Sequence, residues 1–244
     1  MKRLLLILLF SIFASRSDTQ EITWFHSIGW YPFTMEDTTS GRIYGASNDI
    51  MNEIAQNLNT TASFKKVPWM RGLIMLEHGK IDICAGAYSN AERRKKYYFT
   101  QAVFRNETRI FVKKNKIFKF QNLADLKGKS LVKTRGSSYG TEFDRFATNN
   151  IKIQEVSGGT DRMILMVQME RADCFIGDYL NVMNFIRSNK LDKEIIPLDR
   201  AVNYVDVYFM VSKQSAWGKK INRINKAVKL LHDNGTIEQI LKKY

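Results

Sequence analysis

Cysteine and histidine are scarce in this chain, and so are long apolar runs. Two cysteines and three histidines occur in 244 residues. The histidines (His26, His78 and His232) are scattered, so they form no metal-ligand cluster. No Cys–His pairing has a spacing that suggests nucleophilic catalysis, and no nucleophile elbow is present. Beyond the first residues no apolar stretch reaches eighteen, so no membrane span is expected. The formal charge of +14 invites a nucleic-acid reading, but the basic residues are dispersed and no RNA- or DNA-binding motif accompanies them. These absences leave a soluble globular protein that needs no cofactor or metal and has no nucleic-acid partner. A solvated basic surface near anionic membrane suits the charge.

What is present begins at the N-terminus. "MKR" precedes an apolar run of eleven, Leu4–Ala14, and a polar "SRSDTQ". A basic start, a short apolar run and a small-residue exit describe a secretory signal peptide. Cleavage is expected after Ser17, which removes Lys2, Arg3 and Arg16 and leaves a net charge of +11. No cysteine lies near the exit, so no lipid anchor is expected.

The chain then nearly repeats itself. "LIMLEHGKIDICAGAY" (Leu73–Tyr88) returns ninety-one residues later as "ILMVQMERADCFIGDY" (Ile164–Tyr179). Met75, Asp82, Gly86 and Tyr88 align without a gap on Met166, Asp173, Gly177 and Tyr179. The surrounding pattern is β-α-β-α-β, run twice. In the first half, Glu21–Phe25 and Ala62–Val67 read as strands. Between them lies a helix capped by Ser47 or Asn48, with Ile50, Ile54 and Leu58 on one face. Pro68 opens the next helix, and "IDICAGA" is a strand. The second half restarts after "RIFVKKN": Ser130–Thr134 is a strand, Gly136 turns into a helix, "IKIQEV" is a strand, Asp161–Arg171 a helix and "DCFIG" a strand. Ile221, Ile224, Val228 and Leu231 share one face of a closing helix that Gly235 ends. Asp82 and Asp173 lead their strands and read as structural turn residues, and Cys84 and Cys174 as buried free thiols.

Two similar lobes suggest a cleft between them, and ligands of open α/β sheets collect at the carboxyl ends of strands. That singles out Gly86, Ala87 and Tyr88 in the first copy and Gly177, Asp178 and Tyr179 in the second. The copies differ informatively where Ala87 meets Asp178. The first copy follows its strand with Arg93. An arginine and an aspartate facing one another would suit a zwitterion, the guanidinium forking onto a carboxylate. Asp178 could instead simply cap the helix that follows it. Trp30 and Trp69 could be core aromatics.

Together, "WYPF", "GASNDIMNEIA", "GKIDICAG", "AERRKKYYFT", "LADLKGKSLVKTRGSS", "ERADCFIGD" and the terminal "LKKY" run in an order that resembles the bacterial extracellular solute-binding proteins of family 3, polar amino-acid receptors of ABC importers. The resemblance implies a two-lobed periplasmic binding protein fold of type II. Each lobe is then a mostly parallel sheet flanked by helices, and two hinge crossovers join them near 108–110 and 204–208. The expected divisions are a signal peptide over 1–17, one lobe over 18–108 plus 204–244, and the other over 109–203, each with its own sheet. Trp30 becomes an aromatic wall, Trp69 a pocket side chain, Arg93 the carboxylate clamp, Ser137 and Ser138 donors at a helix start, and Asp178 the amine ligand; Gly86 and Tyr88 complete the set. The family's usual Thr-Pro-Glu-Arg is Asn90-Ala91-Glu92-Arg93 here, and its strand-to-arginine spacing leaves Arg94 as the other candidate clamp. The implied protein is a periplasmic monomer that captures a small polar solute and hands it to an ABC permease in the inner membrane. A cyclohexadienyl or arogenate dehydratase on the same fold, and a ligand-sensing receptor without transport, are the alternatives.

Overall fold

The computed structural model describes residues 20–244, so the expected signal peptide lies outside the described residues. Among these, no helix is long and apolar enough to cross a membrane. The first lobe is built on parallel strands β1 (Ile22–Phe25), β4 (Ala62–Phe64) and β5 (Ile83–Tyr88), with α1 (Ala46–Asn57) and α2 (Trp69–Glu77) as crossovers and a small β2 (Met35–Glu36) and β3 (Ile43–Tyr44) hairpin beside them. The second uses β7 (Ser130–Thr134), β8 (Lys152–Val156) and β9 (Cys174–Asp178), also parallel, with α4 (Thr141–Asn150) and α5 (Thr160–Gln168) between them and α6 (Tyr179–Ser188) after them. Short α3 (Ala91–Lys96) leads into β6 (Tyr97–Lys113), and β10 (Ile195–Ser212) returns to the first lobe, which α7 (Ile221–Asp233) and α8 (Thr236–Leu241) close.

The repeat holds element for element. Helices α2 and α5 start and stop ninety-one residues apart, at 69–77 and 160–168. The paired aspartates do one job twice. Asp82 accepts from the backbone N–H and hydroxyl of Thr23 at 2.9 and 2.6 Å. Asp173 accepts from the same two groups of Ser130 at 2.7 and 2.9 Å. Each carboxylate thus pins the start of its own strand to its parallel neighbour. Alternate residues of each central strand face opposite layers: Trp24 enters one apolar cluster and Phe25 another, and Ile176 and Phe175 divide likewise. Burial on both faces is why these strands read as near-continuous apolar runs. Cys84 and Cys174 are buried and free, and burial pushes both thiols up to about 12.

Three expectations change. The lobes do not have separate sheets: β6 and β10 pair antiparallel along most of their length, and the order β4-β1-β5-β10-β6-β9-β7-β8 is one hydrogen-bonded ladder. Two strands of 17 and 18 residues are long enough to belong to both lobes. Register shifts between Pro197 and Asn203 and between Val207 and Met210 interrupt the ladder. Helix α1 is capped by Gly45 rather than Ser47 or Asn48, because the carbonyls of Pro32 and Phe33 already take the N–H groups of Ala46 and Ser47. Helix α4 begins at Thr141, so Ser137 and Ser138 occupy the turn before it and not its first turn.

Candidate functional site

Strands β5 and β9 both end at one cleft, and the N-terminal ends of α2 and α5 face it through Trp69 and Thr160. The cleft spans about 800 Å³ of space free of protein atoms, part of it open solvent. The eight residues singled out by sequence (Trp30, Trp69, Gly86, Tyr88, Arg93, Ser137, Ser138 and Asp178) all line it.

Gly86 sets the wall. Its φ is +142°, and a Cβ there would meet the Trp30 ring at 2.4 Å, so only glycine lets the indole lie against β5. Trp30 stacks on His26 with centroids 4.2 Å apart and packs on Phe33 at 4.4 Å. Burial lowers the His26 pKa to about 4, so the ring is neutral at ordinary pH.

Asp178 ends β9 and stands at the N-cap of α6, but its side chain makes no cap hydrogen bond. Its carboxylate reaches across the cleft instead. It accepts from Trp30 Nε1 at 2.6 Å and from the hydroxyl of Tyr88. The Tyr88 hydroxyl in turn accepts from Asn106 Nδ2 at 3.0 Å, tying it to the crossover strand β6. Burial raises the Asp178 carboxyl to about 6, against the two hydrogen bonds, which lower it. Burial, with the Asp178 charge beside it, also holds the Tyr88 phenol well above its ordinary value.

Arg93 is 9% exposed, whereas Arg94 is exposed outside the cleft, over the rings of Phe99 and Tyr208. Asn90 caps α3 by accepting from the Arg93 backbone N–H at 2.8 Å, which fixes where the Arg93 side chain starts. The guanidinium donates to the carbonyls of Tyr88 at 2.8 Å and Gly136 at 3.0 Å, and lies 5.6 Å from the Trp69 ring centre. Two of its five donors are thereby used. Burial lowers its pKa, but a guanidinium stays charged. Trp69 Nε1 is buried without an acceptor among the described residues. Ser138 donates to Asp144, and the Ser137 carbonyl accepts from Lys133 at 2.8 Å, so both hold their own turn together.

Tyr88 therefore bridges the two charges, its carbonyl on Arg93 and its hydroxyl on Asp178. Sequence reasoning missed His26, Tyr139, Thr160 and Asn181, which also line the cleft. His26 directly follows β1, so the carboxyl-end rule applied to every strand finds it. Thr160 is the repeat partner of Trp69. Asn181 accepts from the Tyr31 backbone N–H at 2.9 Å and so joins the lobes. Among the described residues no group of three or more His, Cys, Asp or Glu could hold a metal. The arrangement offers one buried cation, one half-buried anion and aromatic walls: a means of holding a small polar molecule.

The comparisons with known proteins agree with this architecture. The L-cystine-binding protein TcyA of Bacillus subtilis (strain 168) is 26% identical over 214 residues, which cover 87% of this chain and 76% of that protein. An ancestral arginine-binding protein bound to glutamine superposes with a TM-score of 0.77 at 22% identity, over 92% of this chain and 97% of its own. A histidine kinase sensor domain similar to periplasmic binding proteins gives 0.78 at 18% identity, over 92% of this chain and 96% of its own. The sequence profile described as "Bacterial extracellular solute-binding proteins, family 3" matches residues 22–244. Spanning essentially every described residue, that match shows that the chain belongs to the bacterial extracellular solute-binding proteins, family 3.

Proposed function

We propose that the protein is exported through residues 1–17, captures a small amino-acid-like, carboxylate-bearing solute between its lobes, and delivers it to an ABC importer. The observation that carries this reading is the pair Arg93 and Asp178. They are opposite charges, Arg93 buried and Asp178 half-buried, one from each lobe, lining one cleft and linked through Tyr88. Arg93 has donors to spare for a carboxylate, and each Asp178 oxygen keeps a lone pair for an ammonium. Trp30 packs on the body of the solute. The named relative TcyA binds L-cystine, an amino acid, which agrees with this class of ligand. The reading needs no enzymatic step: among the described residues Asp178 is the one acid lining the cleft, and it already accepts two hydrogen bonds.

The hinge reading places one lobe over 18–108 plus 204–244 and the other over 109–203, with the paired crossovers absorbing the motion. The mature protein works as a periplasmic monomer. A thermal-shift screen against the amino acids tests capture. A ligand at a hundred times its dissociation constant adds about 2.7 kcal/mol, which raises Tm by about 5–10 °C in a chain of this size. A panel that leaves Tm unmoved would overturn the reading. If an amino acid binds but no importer component takes it up, the protein is a sensor's receptor and the delivery step fails.

A further inference from the structure

We infer that the solute this cleft accepts is net neutral: a zwitterion whose side chain carries no charge. The inference rests on the capture reading above and narrows its ligand class. Among the described residues that line the cleft, Arg93 and Asp178 are the two ionised groups, and they balance. If they hold the two ends of an amino acid, nothing charged is left for a third group. The lining that remains for a side chain includes Ser27, Thr134, Thr160 and Met163, all uncharged, together with His26, which burial keeps neutral.

A cationic side chain could still lie on an aromatic face, but the cleft's two indoles are committed. His26 stacks on one face of Trp30 at 4.2 Å, and the other is left for the body of the solute. The Trp69 ring already carries the Arg93 guanidinium at 5.6 Å, which would repel a second cation. An anionic side chain fares no better, because Arg93 already spends two donors on backbone carbonyls and serves the solute's first carboxylate with the rest. Either extra charge would lie against uncharged lining without a partner, and burying an unpaired charge is costly.

Isosteric pairs test this, since each keeps shape and changes charge. Titration calorimetry of the parent protein at neutral pH would compare citrulline with arginine, norleucine with lysine and glutamine with glutamate, beside the twenty-amino-acid panel. The tightest ligand is expected to have an uncharged side chain. In any pair that binds, the neutral member should be tighter by at least about tenfold, or about 1.4 kcal/mol. A charged member that equals or exceeds its neutral isostere would overturn this inference and leave capture standing. A panel in which nothing binds would overturn capture and this inference together. Ser27→Asp supplies the reverse test. Ser27 is only half-buried, so an acid is tolerable there, and it should move the arginine-to-citrulline ratio at least about tenfold toward arginine. An unchanged ratio, with the variant still binding citrulline, would contradict the charge balance.

Discussion

Replacing Arg93 by alanine removes more than a charge. In the structure the guanidinium ties the end of β5 to the Gly136 turn of the other lobe, through carbonyls at 2.8 and 3.0 Å. A bound carboxylate would lose its forked donor, and the lobes would lose the tie from Arg93 to the Gly136 carbonyl. Truncating one partner of a buried, charge-assisted contact costs about 2–5 kcal/mol. At about 1.4 kcal/mol per tenfold, Arg93→Ala should weaken binding by at least about thirtyfold. Arg94→Ala is the control. Its side chain is exposed, with its guanidinium 5.1 Å from the Phe99 ring and 5.7 Å from that of Tyr208. Its loss should cost about 0.5–1 kcal/mol of stability at most and leave the dissociation constant within about threefold. Titration calorimetry with the best ligand of the screen reads both, with circular dichroism confirming that each variant folds. If the Arg93 variant binds within about threefold of the parent, the carboxylate clamp is wrong. If Arg94 shows the larger loss, the clamp has been placed one residue too early.

Asp178 gives a pH test. Burial holds its carboxyl at about 6, above the ordinary 3.8, so its share of stability is full below about pH 3.8 and is lost as pH rises through about 6. Asp178→Asn should therefore gain about 2 kcal/mol relative to the parent between pH 4 and pH 7 by urea denaturation; a flat difference would mean the carboxyl titrates as if exposed. Gly86→Ala would place a Cβ 2.4 Å from the Trp30 ring at a φ of +142°. Overpacking and backbone strain together should cost at least about 2 kcal/mol, and a Tm within a degree of the parent would show that the wall yields freely. Asp82→Ala and Asp173→Ala each strand a backbone N–H, of Thr23 and of Ser130, at about 1–3 kcal/mol. The Asp82 variant should lose more, because Asp82 is buried and Asp173 is exposed, and chemical denaturation giving the opposite order would contradict that ranking.

Local patterning made much of the fold legible. The parallel strands and their helices emerged from apolar periodicity, and β7 at Ser130–Thr134 matches its sequence boundaries. Long-range contacts were not legible. Ser47 and Asn48 look like caps, yet the cap is decided by carbonyls of a loop fourteen residues earlier, Ala46 reaching Pro32 and Ser47 reaching Phe33. The crossover β6 runs unbroken through the polar stretch Arg105–Glu107, where its partner is the distant strand β10. At the site, the repeat and the carboxyl-end rule brought Gly86, Tyr88 and Asp178 to the cleft, and the family resemblance supplied Trp30, Trp69 and the serines. What Asp178 touches could not be read: its partners Trp30 and Tyr88 are 148 and 90 residues away. A local capping role was equally consistent with the sequence, and the fold alone turns the side chain outward across the cleft.

A crystal structure of the protein with the tightest amino acid from the screen tests the central claim most directly. The account expects the ligand between the lobes, its carboxylate within hydrogen-bond distance of the Arg93 guanidinium, its ammonium on Asp178, and its body against Trp30. A ligand seated elsewhere, or one in the cleft whose carboxylate avoids Arg93 and whose ammonium avoids Asp178, would contradict it.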